Sequence, residues 1–183
     1  DLHLSIRRQR QMCIRDSKLG DGMFLEMCRQ VAAEFPEVRV DDVIVDAMMA
    51  HVVRAPQRYD VIVTTNMFGD ILSDLTAELS GSLGLGGSLN AGRDYAMGQA
   101  AHGSAPDIAG QNIANPISLI LSGAMLLNWH GQKTGQANFL QAAAAIEATI
   151  ADTILAHECT RDVGGKLGTR EAGAAFTARL LAG

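Results

Sequence analysis

Val61-Ile62-Val63-Thr64-Thr65-Asn66-Met67-Phe68-Gly69-Asp70-Ile71-Leu72-Ser73-Asp74 is the stretch whose reading decides the fold. From Tyr59 to Thr64 the run is β-branched and unbroken, the pattern of a strand. From about Phe68 to Ser80 the apolar positions take helical spacing, with Gly81 placed at C′ of the helix. A strand passing directly into a helix points to an α/β protein. The junction also carries two carboxylates, Asp70 and Asp74, one helical turn apart. At that spacing Cβ atoms stand about 5–6 Å apart on one face. Like charges so close repel, and a fold that keeps both ionised usually gives them a cation. The alternative is that Asp70 complements a helix N-terminus while Asp74 is simply solvated.

Upstream, Val43-Ile44-Val45 is a short apolar run ending at Asp46, read as a strand, and Ala47 to Arg54 reads as a helix stopped before Pro56. Asp46 is thus a third carboxylate at a strand end. Three such groups suit an oxygen-liganded cation, Mg²⁺ or Mn²⁺, and no cluster of histidines and cysteines competes for zinc. Met23, Phe24, Met27, Val31 and Ala32 recur at helical spacing, and Phe35-Pro36 closes that helix. Residues 1–17 differ: Arg7, Arg8, Arg10 and Arg15 stand in a segment without sustained period. A basic arm for nucleic acid is one reading. A non-native extension is the other, because I-R-R-Q-R-Q-M-C-I-R-D-S resembles translated adapter read-through; residues 1–17 are therefore set apart from the fold. On that reading the organised chain starts at Lys18 and is the C-terminal piece of a longer protein.

Downstream, Gly81 to Gly110 is a glycine-rich stretch with short strands around Ser88-Leu89-Asn90, and the composition shift near Gly81 marks an internal boundary. Asn115-Pro116 is an N-cap and N1 pair for a helix reaching about Trp129. A second long helix spans Ala137 to His157, and Thr169 caps a last one with Glu171 in its first turn. The string His102-Gly103-Ser104-Ala105-Pro106-Asp107-Ile108-Ala109-Gly110 joins glycines that allow a close ligand approach to an Asp that can accept from a ribose diol. It is neither G-x-G-x-x-G nor a P-loop, and an ordinary turn is the alternative.

Composition narrows the class. The 183 residues are 48% apolar with 19 glycines and 4 prolines, and the net charge of −5 gives no footprint for nucleic acid or an anionic membrane. Ile117 to Trp129 is too short and too polar to span a bilayer. Cys13, Cys28 and Cys159 lack a C-x-x-C, which fits free thiols in a reducing cytoplasm.

With these residues in hand, the chain resembles the β-decarboxylating dehydrogenases, the isocitrate/3-isopropylmalate/tartrate dehydrogenase family. The resemblance runs from about Lys18 to the C-terminus. It rests on D-V-I-V-T-T-N-M-F-G-D-I-L-S-D followed by H-G-S-A-P-D-I-A-G-Q-N-I-A-N-P. It implies the C-terminal part of the two-domain isopropylmalate dehydrogenase-like fold, with residues 18–80 in the dimerising, metal-binding domain and 81–183 in the returning half of the dinucleotide-binding domain. It implies a divalent metal, Mg²⁺ or Mn²⁺, on Asp70 and Asp74 of one subunit, with Asp46 supplied across a homodimer interface. It implies that His102, Gly103, Ser104, Ala105, Pro106, Asp107 and Asn115 line the adenine and ribose of NAD. Asp107 stands where NADP-using members place a lysine, and a carboxylate would accept from a 2′-hydroxyl and repel a 2′-phosphate.

The implied reaction is oxidation and decarboxylation of a 2-hydroxy dicarboxylic acid, 3-isopropylmalate foremost and hence leucine biosynthesis, with tartrate or isocitrate as alternatives. The family's catalytic tyrosine and lysine and its substrate arginines lie upstream of Lys18, so no catalytic residue is assigned on this chain. Gln99-Ala100 replace an acid and a proline found in many members. The alternative of another class is a non-catalytic dimerising or nucleotide-binding module, and either way the isolated chain is expected to be inactive.

Overall fold

A computed structural model describes residues 9–14, as backbone, and 19–183. The chain divides into two compact units, residues 1–76 and 77–183.

In the first unit, strands β1 (Gln9–Ile14), β2 (Arg39–Ile44) and β3 (Val61–Thr64) form a parallel sheet in the order β2-β1-β3. Helices α1 (Gly20–Ala32), α2 (Val45–Arg54) and α3 (Asn66–Leu79) alternate with the strands, so the α/β class read from the sequence holds. One expectation is corrected. Residues 1–17 were set apart from the fold, yet Gln9–Ile14 occupies the middle of the sheet. A middle strand takes ladder hydrogen bonds from both sides through backbone groups that every residue type except proline carries, so the polar run Gln9-Arg10-Gln11 can pair there. The rest of that segment, with Arg7, Arg8 and Arg15, lies outside the described residues.

The run Val43-Ile44-Val45 is also divided differently. Strand β2 starts four residues earlier, at Arg39, and Val45 already opens α2. The early part of β2 is polar, and its part-exposed Asp41 and Asp42 meet Arg39 at 3.0 Å and Arg29 at 3.5 Å. Val45, Met48, Val52 and Leu72 form the core, with Tyr59, Ile62, Phe68 and Leu75 packed against it. Helix α3 closes as the sequence indicates, with Gly81 in the left-handed region (φ 127°).

The second unit pairs a β-hairpin with three helices. Strands β4 (Gly87–Ala91) and β5 (Ala96–Ala100) are antiparallel and lie on α4 (Ile117–Thr134). Two buried serines of α4 pin the hairpin. Ser122 donates to the Gln99 carbonyl at 2.6 Å and accepts from the Ser88 amide at 3.0 Å, while Ser118 donates to the Gly86 carbonyl and accepts from the Ala101 amide at 3.1 Å. Gly98 permits this approach, since a Cβ there would sit 2.7 Å from the Ser122 carbonyl oxygen. Helix α4 runs five residues past Trp129, to Thr134, before Gly135 (φ 71°) ends it. Helix α5 (Ala137–Leu155) packs on α4, and α6 (Thr169–Ala182) packs on α5. Thr169 is not the cap of α6. Gly168 takes that position, and Asn112 accepts the Thr169 and Arg170 amides through its carbonyl (3.1 Å) and side chain (3.0 Å). Among the described residues no helix is long and apolar enough to cross a membrane.

Candidate functional site

The first unit carries the acidic groups. Helix α3 begins at Asn66, one turn before Asp70, and has no acid in its first turn. The macrodipole acts mainly within that first turn, so it gives Asp70 little reason to be there. One Asp70 oxygen accepts from Asn66 Nδ2 at 3.2 Å. Asp74 is exposed and receives no hydrogen bond from any described residue. Two carboxylates with free lone pairs on one helix face are the donor chemistry of a hard cation. Asp46 lies in the first turn of α2, exposed, with Oδ1 accepting from the Ala47 amide at 2.7 Å. Among the described residues no three His, Cys, Asp or Glu side chains come together to hold a metal. Asp46 therefore does not join the α3 pair within one chain.

The second unit contains a cleft of about 1180 Å³. Pockets for small ligands run to about 300–1,000 Å³, so this one has room for something as large as a dinucleotide. His102, Gly103, Ser104, Ala105 and Asn115 line it. Pro106 and Asp107 do not. They lie in the 3₁₀ turn Pro106–Ile108, next in sequence to the lining residue Ala105 and before the lining residue Ile108. Ala105 takes φ 40°, a left-handed conformation that costs energy in a residue with a Cβ. His102 Nδ1 lies 2.9 Å from the Gly103 carbonyl. A carbonyl only accepts, so Nδ1 is the donor in this contact.

Asn115 is more constrained than its sequence suggests. Its Oδ1 caps α4 by accepting the Ile117 amide at 2.9 Å, and its Nδ2 donates to Asp162 at 2.8 Å. Asp162 is the residue that reading the sequence missed. It lies in the loop after α5 and also accepts from Ser82 at 2.6 Å and Thr160 at 2.6 Å. Burial raises the pKa of this carboxyl, but the hydrogen bonds from Ser82, Thr160 and Asn115 outweigh that and hold it below the usual range. The loop is stapled by the Leu167 amide on the Cys159 carbonyl (3.0 Å) and the Gly165 amide on the Thr160 carbonyl (2.9 Å). It brings Arg161 and Lys166 to the same cleft. The available signal was an Asp beside Gly164-Gly165. Cys28 and Cys159 are free, and burial raises both thiols, so neither is activated as a nucleophile.

The family model for isocitrate/isopropylmalate dehydrogenase matches residues 14–176. The chain belongs to this family. It is similar to the isocitrate/homoisocitrate dehydrogenase of Thermus thermophilus, 46% identical over 163 residues, covering 89% of this chain and 46% of that protein. It is similar to the 3-isopropylmalate dehydrogenase of Archaeoglobus fulgidus, 44% identical over 150 residues, covering 82% of this chain and 44% of that one. A solved isocitrate dehydrogenase from Methylococcus capsulatus superposes with a TM-score of 0.86 at 41% identity, covering 95% of this chain and 51% of that chain. The chain thus spans about half the length of the relatives it matches. Those relatives are oxidoreductases, and the resemblance drawn from the two sequence strings is to the right family.

Proposed function

We propose that this chain forms part of an NAD- and Mg²⁺/Mn²⁺-dependent dehydrogenase that oxidises and decarboxylates a 2-hydroxy dicarboxylic acid, 3-isopropylmalate foremost. The observation that carries the reading is the pair Asp70 and Asp74, exposed one turn apart and largely free of protein partners. The cleft between Leu83 and Arg170 would take the dinucleotide, with His102 and Asn115 towards the adenosine and Asp107 in the turn between the lining residues Ala105 and Ile108. A bound cation would ease negative charge on the substrate's hydroxyl oxygen during hydride transfer, and on the oxygen that gains charge as CO₂ leaves. Asp70 and Asp74 hold the cation in position. No group on this chain is assigned the proton transfers, so the chain alone is expected to bind without turnover.

A homodimer completes the metal set. Met67 and Ile71 stand exposed one turn apart on α3, immediately beside Asp70, and Val53 stands exposed on α2. Covering these apolar groups with a second copy would bring the partner's α2, and its Asp46, towards the pair. Mn²⁺ titration followed by electron paramagnetic resonance tests this. Asp70→Asn with Asp74→Asn should abolish binding, and Asp46→Asn should weaken it. Mixing the Asp46→Asn chain with the Asp70→Asn/Asp74→Asn chain should restore some sites, because one site of each mixed dimer has all its native carboxylates. Unchanged Mn²⁺ binding in the α3 double variant would refute the metal assignment.

A further inference from the structure

Asp162 was not chosen for any role from the sequence, and nothing in the proposed chemistry uses it directly. Its surroundings are unusual for a loop carboxylate. The groups that donate to it come from separate places in the second unit: Ser82 after α3, Asn115 at the start of α4 and Thr160 in its own loop. Two of these partners have further duties. Ser82 Oγ also accepts the Gly84 amide at 3.0 Å, and Gly84 lines the cleft; Asn115 also caps α4. The spacing leaves no slack, since a Cβ on Gly84 would lie 2.7 Å from Asn115 Cβ. Without the carboxylate, Asn115 Nδ2 would lose the acceptor that fixes the direction of its amide. The other Nδ2 hydrogen, which donates to no described residue, would then lose its aim.

We propose that Asp162 is a positioning residue for nucleotide binding: by clamping Asn115, Ser82 and Thr160 it sets the direction in which the Asn115 amide meets the adenosine end of the dinucleotide. This rests on the reading of the cleft as the dinucleotide site. The clamp acts through hydrogen-bond acceptance, so an asparagine can replace the aspartate in part. One amide oxygen can still accept from Asn115 and Ser82, and the Thr160 hydroxyl can turn to accept from the new NH₂.

The test is calorimetric titration of the 183-residue chain with NAD, at a temperature where circular dichroism shows every variant folded. Asp162→Ala should weaken NAD binding by about tenfold or more, and Asp162→Asn should recover to within about threefold of the parent. Combined with Asn115→Ala, the Asp162→Ala loss should be far smaller than in the parent, because the residue it acts through is already gone. Parent-like affinity in Asp162→Ala would overturn the proposal. So would two losses that multiply in the double variant, which would mean that Asp162 meets the ligand independently of Asn115. An unmodified chain that fails to bind NAD would overturn the cleft reading and the proposal with it, a result distinct from the other two.

Discussion

Replacing Gly84 with alanine probes the join between fold and site. The added methyl would stand 2.7 Å from Asn115 Cβ, 2.9 Å from Nδ2 and 3.0 Å from Cγ, distances that side chains do not tolerate. Gly84 is buried. Asn115 cannot swing away freely, because it bonds Asp162 at 2.8 Å and the Ile117 amide at 2.9 Å. The molecule has two options. It can keep the bonds and absorb the overlap, at about 1–3 kcal/mol. Alternatively it can release Asn115, losing a hydrogen bond to a charged group, about 1.5–3 kcal/mol, and an N-cap, about 1 kcal/mol. It will take the cheaper course, so a destabilisation of about 2 kcal/mol is expected. For a chain of this size that lowers the thermal midpoint by about 4–8 °C. Gly123→Ala is the control: Gly123 lies within α4 with nothing within 4 Å of the added Cβ. There alanine should stabilise, by up to about 1 kcal/mol. Thermal unfolding followed by circular dichroism at fixed pH and salt separates the two. A Gly84→Ala chain as stable as the parent, or shifted in the same direction as Gly123→Ala, would refute the packing argument.

Other outcomes follow from the same geometry. Met48 is fully buried in the first unit's core, so Met48→Ala should cost about 2–5 kcal/mol in urea unfolding. The Asp162 carboxyl is held below its ordinary pKa in the folded chain, so its contribution is present above the unfolded value. Stability should therefore start to fall as pH drops below the ordinary carboxylate range, and keep falling until the depressed native value is passed. Asp162→Asn should flatten that part of a pH series of unfolding midpoints. Asp107→Lys should erode the preference for NAD over NADP in paired binding titrations; an unaltered ratio would mean that the Asp107 carboxylate does not read the ribose.

The sequence was most readable where one local pattern had one physical cause. The β-branched run into α3 and Gly81 at its end appear where their patterns place them. The helices after Asn115 are found too, although α4 ends later than its apolar stretch, since a helix continues through Gln132 and Lys133 until Gly135 stops it. Legibility failed where long-range partners decide. Strand β2 carries Asp41 and Asp42, whose side chains keep contact with solvent, and Asp42 meets Arg29 from 13 residues away. The cap of α6 comes from Asn112, 58 residues away from Arg170, and no local motif announces it. The site divides in the same way. His102 to Ala105 and Asn115 belong to one recognisable string and do line the cleft. Asp162 lies 47 residues beyond Asn115 and becomes informative only once the fold joins them.

Hydrogen–deuterium exchange of the 183-residue chain with and without saturating NAD tests the central reading most directly. Protection is expected in residues 102–115 and 160–170, the two arms of the cleft, with Asn115→Ala abolishing it. Protection confined to residues 19–76, or none at any NAD concentration, would contradict the assignment of the cleft as the dinucleotide site.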